Sequence, residues 1–144
     1  MKKIILDGLE ISNEDKICFF AGLNILETAE QTLEVAFNLR DICSSLENPF
    51  IFKASFDKAN RSSINSYRGP GISNAIEIFK ELKKENIKIV SDVHEIGQIS
   101  LFQEFIDIIQ IPAFLCRQTD LIKEACETKN LSTLKRVSFY LQIK

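Results

Sequence analysis

The sequence predicts an α/β fold in a single domain: an N-terminal β-hairpin followed by a parallel sheet covered by helices. Three observations carry this. Short apolar runs dominated by β-branched and aromatic residues recur along the chain, each too short for a helix. Amphipathic stretches with helical spacing lie between them. Strands that alternate with helices are joined by crossovers, and such strands run parallel. The chain has 144 residues, 45% hydrophobic and 26% charged, with only five Gly and three Pro. That is enough for one core and too apolar for a disordered or low-complexity chain.

Taken in order, Ile4-Ile5-Leu6 and Leu9-Glu10-Ile11 flank Asp7-Gly8, a two-residue hairpin signal. The first apolar run, 17–20, predicts a strand. Thr28 with Gln31 three residues on resembles a capping box. Val35, Leu39, Ile42 and Leu46 then form one helical stripe. The run 50–52 predicts the next strand, and Ser73 is placed to cap a helix carrying Ala75, Phe79 and Leu82. Strands over 87–90 and 106–109 follow, with helices expected over 98–105 and 120–127. No repeat or linker interrupts the pattern before about residue 128.

Composition excludes several classes of function. Net charge is −2 and the pI is near 5.5, so no global positive field recruits nucleic acid. No apolar run approaches the roughly 18 residues of a membrane span. The opening reaches Asp7 after three apolar residues, too soon for a signal-peptide core, so a soluble cytoplasmic protein without membrane contact is expected. The four cysteines, Cys18, Cys43, Cys116 and Cys126, form no CxxC pair, and His94 is the single histidine. A zinc site of Cys and His alone has no support, and the thiols read as reduced, packed residues.

The chemistry lies just after each apolar run. Ala21-Gly22-Leu23-Asn24 follows the first, a segment beginning at Lys53 the second, Asp92-Val93-His94-Glu95 the third, and Gln110 closes the fourth, with Pro112 and Arg117 beyond. Polar groups at the C-terminal ends of successive parallel strands converge on one rim, where α/β folds place their sites. The segment 53–63 carries Lys53, Lys58 and Arg61 among an amide and hydroxyls, with Asp57 its one acid. Such a set suits a phosphate or carboxylate, with a solvated basic loop as the plainer alternative. No GxxxxGK[ST] or GxGxxG is present, so a nucleotide is not the favoured anion. Gly69-Pro70-Gly71 reads as a helix-entry turn. Asp92 and His94, two apart on one face of an extended segment, read as metal ligands or an acid/base pair, although a lone His beside an Asp is more often a structural hydrogen-bonded pair; the strand-end position keeps the functional reading open.

The run Lys53-Ala54-Ser55-Phe56-Asp57-Lys58-Ala59-Asn60-Arg61-Ser62-Ser63, with Tyr67-Arg68-Gly69-Pro70-Gly71, resembles the signature loop of the 3-deoxy-D-manno-octulosonate 8-phosphate (KDO-8-phosphate) synthases. Ser91-Asp92-Val93-His94-Glu95 and the segment from Gln110 to Asp120 resemble two more motifs of that family, in order, over residues 4–128. The resemblance implies a (β/α)8 barrel enzyme of lipopolysaccharide biosynthesis. It condenses phosphoenolpyruvate with D-arabinose 5-phosphate and water, releasing KDO-8-phosphate and phosphate. By the same resemblance Lys53 and Lys58 hold phosphoenolpyruvate, and Asn60, Arg61 and Ser62 receive the sugar phosphate. Gln110, Ala113 and Arg117 stand near the enolpyruvate phosphate, while Asp92 and His94 orient the aldehyde or the water. Asn24 stands where the metal-dependent branch has a Cys, which implies no required metal and no other cofactor. A homotetramer is the family's assembly.

The departures from the family are also informative. A (β/α)8 barrel takes about 250 residues, whereas 144 supply the hairpin (1–12) and four to five β-α units (13–128). Residues 129–144 form a divergent tail, in which Lys135 aligns with an enolpyruvate-binding lysine but Val137 and Ser138 depart from the motif. Asn65 stands where the family often has His. A chain ending there leaves unpaired strand edges, so the expectation is the synthase identity without full activity for these residues alone. The alternative is a non-catalytic remnant of a truncated or frameshifted gene. A third reading is the related synthase of aromatic biosynthesis, which uses erythrose 4-phosphate.

Overall fold

A computed structural model describes residues 3–12, 14, 16–59 and 61–135. Strands β1 (Ile4–Leu6) and β2 (Leu9–Ile11) pair antiparallel, Ile4 opposite Ile11 and Leu6 opposite Leu9. Asp7 and Gly8 both take positive φ, 44° and 83°, as a two-residue turn of this hand requires. The main body then alternates: β3 (Phe19–Gly22), α1 (Ala29–Ser45), β4 (Phe50–Lys53), α2 (Ile72–Lys84), β5 (Ile89–Asp92), α3 (Ile96–Phe102), β6 (Ile108–Ile111), α4 (Thr119–Glu127) and β7 (Leu131–Leu134). A 3-10 turn, Ala113–Leu115, precedes α4. The five strands β3 to β7 form one parallel sheet in chain order. Sequential order with a helix in each crossover is the way a β/α barrel is wound, here over five strands.

Alternation along each strand divides the interior in two. On one face Phe52, Ile89, Ile109 and Ile111 pack beneath the helices with Ala36, Ala75, Phe79, Leu82, Phe102 and Leu121. On the other, Ile51, Val90 and Ile108 form a small cluster closed by Leu6 of the hairpin. Lys88 fastens the hairpin there, pairing with Asp7 of the turn and lying 3.8 Å from Asp107 Oδ1. Two residues on from Ile51, Val90 and Ile108 stand Lys53, Asp92 and Gln110. The hairpin therefore fills the N-terminal end of this face, and the polar residues occupy its C-terminal end.

Several expectations need correction. The strands reach one to two residues further toward the C-terminus than the apolar runs, because Gly22, Lys53, Asp92 and Gln110 are themselves paired in the ladder. In α1 the buried residues are Thr32, Ala36 and Cys43, not the stripe Val35, Leu39, Ile42 and Leu46. Val35 and Leu39 are half-buried, while Ile42 and Leu46 stay 56% and 60% exposed. Small side chains let the helix sit close to the sheet, which leaves the larger ones at its margin. Thr28 does cap α1, accepting from Gln31 N at 3.2 Å. The cap of α2 is Gly71, with Ser73 already inside the first turn. Helix α3 spans 96–102 rather than 98–105, started by a Glu95/Gln98 capping box. Of the cysteines only Cys43 is buried, and Cys126 is exposed. The tail contributes β7 beside β6; residues 136–144, including Val137 and Ser138, lie outside those described. No helix among the described residues is long and apolar enough to cross a membrane.

Candidate functional site

Strand β4 ends on Lys53 and β5 on Asp92, and both side chains are largely removed from solvent, 19% and 6% exposed. Lys53 Nζ lies 3.6 Å from Asp92 Oδ1 and donates to Ser55 Oγ at 2.8 Å. Lys58 Nζ approaches the other carboxylate oxygen at 3.9 Å, and His94 Nε2 stands 3.6 Å from it. Two ammonium groups thus share one carboxylate, so the cluster keeps a surplus of positive charge. Burial pulls the Lys53 ammonium down to about 8; Asp92 opposes this, while Lys58 and Lys135 add to it. Burial pushes the Asp92 carboxyl up, but His94, Lys53, Ser55 and Lys58 together hold it well below the usual carboxylate range. Asp92 is accordingly a fixed anion at any physiological pH.

The loop behind β4 is held by its own residues. Lys58 N donates to Arg68 O at 2.9 Å, and Tyr67 Oη donates to Leu26 O at 3.1 Å. Arg68 forks onto Asp57, with Nε 2.8 Å from Oδ1 and Nη2 on Oδ2. The loop's one acid is therefore engaged by Arg68 and does not cancel the charge of Lys53 or Lys58. Gly69 makes this closure possible, because its Cα comes so near the Phe56 carbonyl that a Cβ has no room.

A cavity of about 580 Å³ opens over this cluster, the size of a small-molecule site. Lys58 and Ala59 of the loop, Asp92, His94 and Glu95 after β5, and Gln110 of β6 form its polar wall; Pro112 to Leu115 form an apolar one, and Lys135 after β7 closes it. Lys135 N donates to Ile111 O at 3.1 Å, extending the β6–β7 pairing to this rim. His94 is steadied by its backbone N–H, which donates to Gln98 Oε1 at 2.8 Å, and by Phe56, whose ring centroid is 5.8 Å away. Among the described residues, Asp92 Oδ1 and His94 Nδ1 are buried with no hydrogen-bond partner. Buried polar atoms left open at a cavity wall are suited to a ligand or water.

The structure thus brings together Lys53, Lys58, Asp92, His94, Gln110, Ala113 and Lys135. It leaves Asn24, Arg61, Ser62 and Arg117 exposed and away from the cavity wall. Asn60 lies outside the described residues. Ser55, against Lys53, and Phe114, at the cavity, join the site without being among the sequence candidates. Ser55 was detectable as the residue two beyond Lys53, on the same side of an extended chain; nothing in the sequence marks Phe114, 78% exposed at the cavity mouth. Among the described residues no three His, Cys, Asp or Glu side chains converge as a metal-binding group.

A family model described as the DAHP synthetase I family matches residues 3–143. The chain is 45% identical, over 96% of its length, to the 2-dehydro-3-deoxyphosphooctonate aldolase of Shewanella baltica (strain OS185). It is 47% identical over 93% of its length to the protein of that name in Marinobacter nauticus, and 41% over 96% to that of Colwellia psychrerythraea. These matches take in 49%, 48% and 50% of the relatives, so the chain spans about half the length of the curated relatives it matches.

Proposed function

The chain belongs to the DAHP synthetase I family, and from that premise we propose that it serves the reaction of a KDO-8-phosphate synthase, binding phosphoenolpyruvate in the cavity above β4 to β6. The sugar partner in this reading is D-arabinose 5-phosphate. Its relatives' name, 2-dehydro-3-deoxyphosphooctonate aldolase, describes the same eight-carbon phosphorylated product. The observation that carries the reading is the meeting of Lys58, Gln110 and Lys135, from three separate segments, around one cavity, with Lys53 held 3.6 Å from Asp92 of the same wall.

In the proposed reaction the enolpyruvate C3 attacks the sugar aldehyde, a water oxygen bonds to C2, and phosphate leaves by C–O cleavage. The chain's residues supply position and charge. Lys53 and Lys58 offset the enolpyruvate carboxylate, and Gln110, the Ala113 backbone and Lys135 face its phosphate. Asp92, a fixed anion, and His94 beside it are placed to orient the water or the aldehyde. Asn60, Arg61 and Ser62 are assigned to the sugar phosphate and Arg117 to the rim. Asn24, in place of the Cys of the metal-dependent branch, supports a metal-independent reaction. Exposed Phe19 and Phe20 on the edge strand β3, with Ile42 and Leu46 of α1, support self-association. The reading places the protein in the cytoplasm.

Phosphate release from the full chain supplied with both substrates tests this. The expected result is release above that of Lys58→Ala, greater with arabinose 5-phosphate than with erythrose 4-phosphate, and undiminished by a chelator. Release no higher than the Lys58→Ala background favours a non-catalytic remnant. Loss with a chelator and rescue by a divalent ion overturns metal independence.

Binding alone carries a second signature. A bound anion favours the charged form of Lys53, whose ammonium burial pulls down to about 8. Phosphoenolpyruvate binding between pH 8 and 9 should therefore take up protons, and affinity should fall as pH rises through that window. Calorimetry in two buffers of different ionisation enthalpy reads the uptake; proton release in that window contradicts it.

A further inference from the structure

Ser55 is fully buried between Ala54 and Phe56, themselves buried, directly beyond the end of β4. Its backbone is fixed, since its carbonyl accepts from Leu26 N at 2.9 Å. Its hydroxyl accepts from Lys53 Nζ at 2.8 Å, closer than the 3.6 Å that separates the same ammonium from Asp92 Oδ1. A long lysine stem has many rotamers, and an ammonium at the edge of a cavity swings toward water unless something retains it. A second carboxylate at position 55 would retain it but would also cancel its charge. A hydroxyl retains it without neutralising it, so the surplus positive charge stays available to an incoming anion.

We infer that Ser55 acts through Lys53 as a positioning residue, its buried hydroxyl fixing the ammonium beside Asp92 by a neutral hydrogen bond that leaves the charge free for an anionic substrate. This deepens the reading of the cavity as a phosphoenolpyruvate site and rests on it for the substrate, though not for the Ser55–Lys53 contact. The same hydroxyl is among the groups that hold the Asp92 carboxyl below the usual carboxylate range.

Two measurements on the full chain test it. The first needs no ligand: the titration of Lys53 followed by NMR with carbon-13-labelled lysine, assigned with Lys53→Arg. Loss of an acceptor disfavours the ammonium, so in Ser55→Ala the midpoint should fall from about 8 by roughly one unit. Ser55→Cys, similar in volume but a poor acceptor, should show the same fall, and Ser55→Thr should restore the midpoint. A hydroxyl that merely fills space would lower the melting temperature and leave the midpoint in place, and that result overturns the proposal. The cysteine variant decides the matter should alanine prevent folding. The second measurement is phosphoenolpyruvate affinity at pH 7.5, expected to weaken about tenfold in Ser55→Ala. Should the unaltered chain bind no phosphoenolpyruvate, the site reading fails, and the ligand-free titration still decides the role of Ser55.

Discussion

Replacing Asp92 by alanine should cost about 3 kcal/mol of stability near neutral pH, the scale set by removing one partner of a buried ion pair. Lys53 and Lys58 are 19% and 18% exposed and lie 3.6 and 3.9 Å from its two oxygens. Without it, two ammonium groups face each other with no anion between. Lys53, already drawn down to about 8, then loses its proton at lower pH, which limits the cost. The pH dependence follows from the signs. The Asp92 carboxyl is held below its unfolded value of 3.8, so the stability it contributes is present above that value and lost as pH falls below it. Lys53 is also depressed, so between about 8 and 10.5 the unfolded chain binds more protons and stability rises with pH. Once Lys53 is neutral it gains nothing from Asp92. The difference between wild type and Asp92→Ala should therefore be widest near pH 5 to 6, shrink toward lower pH, and shrink again as pH rises from the variant's lowered Lys53 midpoint to about 8. Denaturant midpoints across pH 3 to 10 measure it, and a difference independent of pH contradicts the charge argument. The variant should also take up protons on binding phosphoenolpyruvate at pH 7, below the window of the wild type.

What the sequence could show, and what it could not, follows from the range of each interaction. The hairpin, the alternation of strands and helices and the stripe Ala75, Phe79 and Leu82 depend on neighbours within one turn or one strand. They were legible, and all three residues are buried. The stripe of α1 misled because it gives the amphipathic period but not which side meets the sheet. Thr32 and Ala36 won that side by being small. The strands run past their apolar runs because Lys53, Asp92 and Gln110, polar types that normally signal a loop, here belong to the ladder on the face opposite the helices. The motif residues Lys53, Lys58, Asp92, His94 and Gln110 were identified in sequence, and the topology brings them together. Their local order says nothing of the Asp57–Arg68 pair, eleven residues apart. Such contacts depend on how the loop returns across itself, which one glycine decides.

That glycine is Gly69, and Gly69→Ala should cost about 3 to 5 kcal/mol, overpacking and backbone strain acting together. Its φ is 129°, and a Cβ there would sit 2.0 Å from the Phe56 carbonyl oxygen and 2.9 Å from its carbon. Neither neighbour can yield cheaply. Phe56 is 2% exposed, its ring 4.6 Å from that of Phe102 and 5.8 Å from His94, so moving its backbone disturbs the core and the imidazole at once. Moving the other side instead pulls Arg68 away, which breaks the bond from Lys58 N to Arg68 O and frees the segment that presents the Lys58 ammonium. Either way the alanine should reduce phosphoenolpyruvate affinity in the molecules that remain folded. Gly71, two residues on, is the control. Its φ is 85° but nothing lies within 4 Å of a Cβ there, so Gly71→Ala should cost about 1 to 2 kcal/mol of strain and leave affinity unchanged. Denaturant midpoints and calorimetric affinities of the two variants separate the effects. Equal losses in both would mean that strain alone governs this turn and that the contact with Phe56 does not hold the loop over the cavity.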